Sequence, residues 1–194
     1  MAPRDTSKTK DRIIQAAFDL FYNQGYQATT IDQVIEKSGV SRPTVYTHFS
    51  TKEDLCQAYL KDRKAQELVD LKAEVRKGTT PRERYLAVIK GVGKALWGTG
   101  FRGCAFFNMI SEIADPNHPL FHEARQYVDA VRELIRDGVI DLKASDPRYG
   151  KIDVDHVAES YYLLVGGAIM ASQEYREKWP VKRALRAIEA LIGD

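Results

Sequence analysis

Apolar residues recur three and four positions apart along almost the entire chain, and nowhere does a two-residue alternation persist. That period belongs to helices packed by one face, so the sequence predicts an all-α fold with no sheet. The punctuation matters as much as the period. Within the first fifty residues, Gly25, Gly39 and Ser50 cut the pattern into three short pieces, whereas beyond residue 78 the helical segments lengthen. Three helices of that size cannot hold much core of their own. They are suited to presenting one helix to a partner.

The expected first helix spans about 8–23, with Ile14, Ala17, Phe18 and Phe21 as its inward stripe and Gly25 at its end. The second spans about 30–37. Thr30 and Gln33 have capping-box spacing, while Ile31, Val34 and Ile35 face inward. Gly39 permits a sharp turn, Ser41 is placed to cap a third helix, and Pro43 fits only in its first turn. A fourth helix is expected over about 50–78, with Ser50 and Glu53 as its capping box. Later helices follow over about 80–97, 104–114, 119–144, 153–175 and 181–192, interrupted by the glycine-rich stretch 98–103 and the polar loop 145–151.

The third helix carries the functional signal. If Val40, Val45 and Phe49 pin it onto Ile14, Phe18 and Val34, then Arg42, Thr44, Tyr46, Thr47 and His48 point outward. Several of these are indifferent helix formers that offer hydrogen bonds, where a purely solvated face would carry Glu and Lys. Local propensity has yielded to something else at an exposed site. A helix of this size fits a DNA major groove, about 12 Å wide.

Charge agrees in placement more than in amount. Residues 1–64 hold 10 Lys+Arg against 8 Asp+Glu and the rest holds 19 of each, so the whole net charge of +2 lies in the N-terminal third. Arg4, Lys8, Lys10 and Arg12 form a mild basic patch. The two cysteines, Cys56 and Cys104, are too few and too far apart for a disulfide framework. No leader peptide is evident, and the longest apolar run, 161–171, is about half of what a bilayer span needs. A cytoplasmic protein with no membrane partner is expected.

The stretch TTIDQVIEKSGVSRPTVYTHFSTKEDL, residues 29–55, resembles the helix-turn-helix signature of the TetR family of bacterial transcriptional regulators. The matching elements are the Thr opening the second helix, the Gly-Val-Ser turn, Thr-Val-Tyr in the third helix with Phe closing it, and Lys-Glu-x-Leu opening the fourth. The preceding IIQAAFDLFYNQGYQATT also fits the family's first helix, so the resemblance covers about the first 60 residues. Pro43 stands where Gly is common in the family.

The resemblance implies a helix-turn-helix DNA-binding domain over 1–55, joined by the fourth helix to a ligand-binding and dimerisation domain over 56–194. Thr30 and Lys52 would then hold backbone phosphates, with Ser41 at the N-terminus of the recognition helix. Thr44, Tyr46 and His48 would lie against groove and phosphates, and Arg42 and Thr47 would read bases. The implied protein is a homodimeric repressor released from a near-palindromic double-stranded operator by a small, largely apolar effector. A transcriptional activator of the same fold, or a helical adaptor that binds no DNA, are the alternatives.

Two further sites are expected in the C-terminal part. Rings at Trp97, Phe101, Phe106 and Phe107, with Met109, Tyr127, Tyr161 and Tyr162, suit an apolar effector cavity, although core packing would explain many of them. The helix over 153–175 is apolar on more than one face and so needs covering on two sides. Val157, Leu164 and Ile169, with Val181, Leu185 and Ile188 of the last helix, are the expected dimer contacts, and Gly166, Gly167 and Ala168 would allow close approach. No nucleophile–base arrangement, phosphate-binding loop or paired carboxylates point to an enzyme, and no cofactor is expected. His118 and His122 have a spacing that can ligate metal but lack further ligands nearby; a helix start explains His118 better. Cys104 lies near a helix N-terminus, where thiolates are favoured, yet a small buried residue is the simpler reading.

Overall fold

The computed structural model describes residues 6–193. Arg4, assigned above to the basic patch, lies outside them. Ten α-helices are formed among the described residues: α1 (Thr6–Gln24), α2 (Ile31–Ser38), α3 (Arg42–His48), α4 (Lys52–Lys77), α5 (Pro81–Tyr85), α6 (Ala87–Gly98), α7 (Ala105–Glu112), α8 (Pro119–Ser145), α9 (Val154–Tyr175) and α10 (Trp179–Ala190). A 3-10 turn, Pro147–Tyr149, follows α8. The same residues contain no strand. The fold is all-α, as the periodicity requires.

The described residues form two compact units, those up to 65 with 105–125, and 66–104 with those from 126 onward. The boundary therefore lies ten residues beyond the expected 55, and a later segment joins the first unit. Two long-range contacts account for this. The Lys64 ammonium pairs with the buried Glu123 carboxylate at 2.6 Å, and Glu112 bonds the loop after α1. Neither link has a local sequence signature.

In the first unit, α1 buries Ile13, Ala16, Ala17, Phe21 and Tyr22. Ile14 and Phe18, placed in the inward stripe by spacing, are only half-buried. Phe18 instead stacks on Tyr22 at 5.9 Å and meets the edge of Tyr59 of α4 at 5.7 Å, with the Arg63 guanidinium 4.6 Å above its ring. This aromatic cluster fastens α4 to α1.

Helix α4 begins one residue later than expected. Phe49 leaves α3 extended (φ −141°, ψ 111°), and the turn consumes Ser50. The capping box is therefore Thr51 with Asp54: Asp54 N donates to Thr51 Oγ1 at 3.0 Å and Thr51 N to Asp54 Oδ2 at 3.0 Å.

In the second unit, the single helix expected from residue 80 is two. Thr80 and Glu83 cap α5 reciprocally, but the ladder opens at Leu86. The Tyr161 hydroxyl occupies the gap, donating to Tyr85 O at 2.9 Å and accepting from Ile89 N at 3.1 Å. Those two groups are four residues apart and would otherwise bond each other. A side chain inserted into the i→i−4 ladder is a recognised cause of a helix break.

Tyr85 in turn donates to Ile188 O of α10 at 2.9 Å, and the two tyrosine rings meet edge to face at 5.2 Å. Tyr161, expected in an effector cavity, is thus fully buried with its hydroxyl committed.

Candidate nucleic-acid interface

The sequence builds α2, the turn and α3 from contacts that span a few residues each. Thr30 Oγ1 accepts Gln33 N at 3.3 Å while Gln33 Oε1 accepts Thr30 N at 2.9 Å, so the expected capping box is present. Gly39 closes α2 in the left-handed region (φ 62°), its N–H shared between Ile35 O and Glu36 O. A Cβ-bearing residue is disfavoured there, and glycine lets the chain reverse. Arg12 holds the same helix end, donating to Ser38 O at 2.7 Å. Of the basic patch, Arg12 is therefore employed inside the fold.

Val34, Val40, Val45 and Phe49 are buried, which fixes the rotation of α3. Ser41, Arg42, Pro43, Tyr46 and Thr47 are exposed, and Thr44 and His48 are half-buried. Tyr46 is 44% exposed, next in sequence to a wholly buried Val45. Ser41 stands at the N-cap but makes no capping bond, since its hydroxyl pairs with that of Thr44 at 2.8 Å. Thr47 Oγ1 donates to Pro43 O at 2.8 Å, which turns its hydroxyl back onto the helix.

Two expected contacts carry constraints that spacing could not reveal. Arg42 is paired with Asp32 of α2 at 2.6 Å. Both side chains are well exposed, so the pair is weak in energy, yet it aims the guanidinium. Lys52 is half-buried rather than free. Its ammonium donates to Tyr26 O at 3.0 Å and Thr29 O at 3.1 Å and lies 4.3 Å from the Tyr26 ring centre. It therefore secures the loop that delivers Thr30 to its place. Asp32 and Tyr26 were invisible as functional residues because their partners lie 10 and 26 positions away.

The remaining expected sites scatter. Phe106 and Met109 are buried in the first unit and Phe107 is half-buried there. Phe101, Tyr127 and Tyr162 belong to the second, Tyr127 buried and the other two half-buried. Trp97 lies at the surface of that unit, 36% exposed under the Lys178 ammonium.

Val157, Ile169, Val181 and Ile188 are buried within the chain itself, and Leu164 and Leu185 are half-buried. Those four are core rather than surface. Along α9 the open apolar side chains are instead Leu163 and Met170, 71% and 69% exposed, with Tyr175 exposed at its last position. Gly167 lies between Leu163 and Met170 at helical spacing, with open space where a Cβ would stand.

His118 accepts Leu120 N through Nδ1 at 3.1 Å, a role at the start of α8, and its Nε2 is 3.6 Å from Glu53. Among the described residues no group of three or more His, Cys, Asp or Glu could hold a metal. Neither cysteine forms a disulfide; Cys56 is buried and Cys104 half-buried. Burial first, and the Glu112 carboxylate second, push the Cys56 thiol well up from its ordinary range. Among the described residues no helix is long and apolar enough to cross a membrane.

Residues 13–59 match the sequence model described as "Bacterial regulatory proteins, tetR family". The HTH-type transcriptional activator FasR of Mycolicibacterium smegmatis is 26% identical over 151 residues, covering 74% of this chain. The match spans 62% of FasR's length. The HTH-type transcriptional repressor KstR2 of the same organism is 21% identical over 201 residues, covering 88% of this chain and 95% of KstR2. The fold is that of a TetR-family transcriptional regulator from Streptomyces coelicolor, with a TM-score of 0.87 at 24% identity over 96% of this chain and 95% of that one.

Proposed function

The chain belongs to the tetR family of bacterial regulatory proteins, and on that premise we propose that it is a cytoplasmic, dimeric repressor that leaves its operator when a small effector binds the second unit. The observation that carries the reading is the exposed face of α3. Val45 and Phe49 fix its rotation from inside while Arg42, Tyr46 and Thr47 are left outside.

Arg42 offers a fork matched to guanine O6 and N7. Thr47, its hydroxyl bent back, offers a methyl group to a thymine methyl. Thr30, Ser41, Thr44, Tyr46 and His48 supply groove and phosphate contacts, the exposed N-terminus of α2 adding its amide dipoles. Lys52 contributes by holding the α1–α2 loop and by its charge.

Dimer symmetry makes the operator near-palindromic. Helix α4 contributes residues to both units, so an effector that biases its position biases the paired recognition helices. A hundredfold loss of operator affinity requires about 2.7 kcal/mol of coupling, within the usual allosteric range.

The test is a gel shift with the DNA upstream of the chain's own gene at two salt concentrations. Retardation that weakens steeply with salt is expected, because phosphate contacts release counterions. No retardation at low salt overturns the reading. An activator, as FasR is named, would raise rather than lower transcription of that fragment in a purified system.

A further inference from the structure

The second unit carries a groove of about 520 Å³ along the C-terminal end of α4, α5, α6 and α10. Its chemistry is two-sided. Ala87, Ile89 and Val181 close the floor, while Trp97 and Leu185 add apolar surface that stays open. Gly93 makes room for this arrangement: a Cβ there would stand 2.9 Å from Val181 Cγ1 and 3.4 Å from Trp97 Cζ2.

The rim is cationic. Lys77, Lys90, Lys94 and Lys182 face only two carboxylates, Glu74 and Glu83. Glu74 is shared by Lys77 at 2.6 Å and Lys94 at 2.5 Å. Glu83 is occupied by the start of α5, its Oε2 accepting Thr79 N and Thr79 Oγ1 at 2.7 Å each and Thr80 N at 3.1 Å. Lys90 and Lys182 form no ion pair with a described residue. Lys90 lies within Coulombic reach of Glu83 without pairing with it, so four ammonium groups against two carboxylates leave the rim net positive. That excess beside an apolar wall attracts an anion, and the wall rewards an apolar body.

We propose that this groove binds an amphipathic monoanion, a medium-chain alkyl carboxylate, with its chain along Trp97 and Leu185 and its head at Lys90 and Lys182. Amphipathic cations are excluded by the rim charge. The site is independent of the DNA-binding face, and the proposal stands or falls without it.

The experiment is calorimetric titration of the full chain with sodium decanoate below its micelle concentration, beside decyltrimethylammonium, which has the same tail and the opposite charge. Saturable binding of decanoate alone is expected. The double variant K90E/K182E weakens it by more than about tenfold. K90R/K182R, which keeps both charges, retains it. Both lysines are exposed, so unchanged thermal melts confirm that each variant folds. Equal binding of the two amphiphiles, no binding of decanoate, or wild-type affinity in K90E/K182E overturns the proposal.

Discussion

The Glu112 carboxylate accepts a hydrogen bond from the backbone N–H of Gln27 at 2.9 Å, across 85 positions of sequence. Its other oxygen lies where a Cβ on Gly25 would be, 2.7 Å away. The last residue of α7 thus grips the loop that sets α2 against α1, and the loop has a glycine where the grip is tightest. Gly25 sits at φ 93°, so Gly25→Ala meets two costs. The backbone cost, about 1–2 kcal/mol, dominates because the tip of a glutamate can swing aside. Calorimetry should show a lowered Tm for Gly25→Ala and for Glu112→Ala. Glu112→Gln, which keeps an acceptor oxygen, should stay closer to the parent. Equal losses for Gln and Ala would mean that the hydrogen bond does not stabilise the loop.

Val45 and Tyr46 are neighbours with opposite expectations. Val45→Ala removes buried methyl groups and should cost about 2 kcal/mol of stability, and it also degrades operator binding because α3 loses its seat. Tyr46→Ala removes an exposed ring and should leave the melting curve in place while weakening operator binding by about tenfold or more. Chemical denaturation and gel shift on the same two proteins separate the cases. A Tyr46→Ala protein that melts early would place that ring in the fold instead of against DNA.

Lys52 and Arg42 should differ in how salt acts on them. A lysine whose main work is a direct phosphate contact reduces the slope of log K against log salt by about one when it is replaced. The Lys52 ammonium is already shared between Tyr26 O and Thr29 O. Lys52→Ala should therefore weaken all sites alike with a smaller change of slope and a lowered Tm. Arg42→Ala should change which sequences are preferred and leave Tm nearly unaltered, since its pair with Asp32 is exposed. Binding measured at several salt concentrations on two operator variants resolves this. A slope change near one for Lys52→Ala, with Tm unmoved, would restore the simple phosphate contact.

The parts of this molecule that were legible in sequence are those closed over short distances. Thr30 and Gln33 cap each other, Gly39 reverses the chain, and Ser41 with Pro43 starts α3, all inside fourteen residues; the resemblance to a known family rests on the same stretch. Periodicity also showed that α9 is apolar on more than one side. It could not say which side the chain would cover itself. Val157 and Ile169 went to the core and Leu163 and Met170 did not, because α6 and α10, the helices packed on α9, leave the Leu163–Met170 face open. The Thr51–Asp54 box was missed for a different reason: Ser50–Glu53 offers the same spacing one residue earlier, and only the extended exit of Phe49 decides between them. Glu112, Asp32 and Tyr26 depend on contacts between segments, which no local pattern encodes.

Tyr161→Phe tests the opened ladder between α5 and α6. The hydroxyl satisfies Tyr85 O and Ile89 N together, in a fully buried place. Its loss leaves a buried carbonyl and a buried amide without their shared partner, at a cost of about 1–3 kcal/mol for each group that stays unsatisfied. The two can recover part of this by bonding each other and closing the helix through Leu86. The expected outcome is a lowered Tm with unchanged or slightly raised helical circular dichroism. Unchanged stability would mean the break at Leu86 has another cause.

Leu163→Glu addresses the dimer. Leu163 and Met170 lie seven residues apart on α9, two turns on one face, with Gly167 between them open to close approach. A second copy of the chain, docked by this face about a two-fold axis, would cover both side chains at once and bring the two copies of α9 together at the glycine. An apolar side chain 71% exposed contributes little to the fold of one chain, so the charged replacement should leave the melt of the separated subunit intact. In a two-fold interface the new carboxylate meets its own copy and is buried against the partner, which penalises each dimer twice. Light scattering should therefore find twice the chain mass for the parent and the single mass for Leu163→Glu. Operator binding should fall with it, because a lone subunit engages one half-site and forfeits the other. Val157→Ala is the contrasting variant: it should lower stability and leave the association state alone. If Leu163→Glu stays dimeric while replacements on α10 dissociate the pair, the contact belongs to that helix and the exposed face of α9 is free for another use.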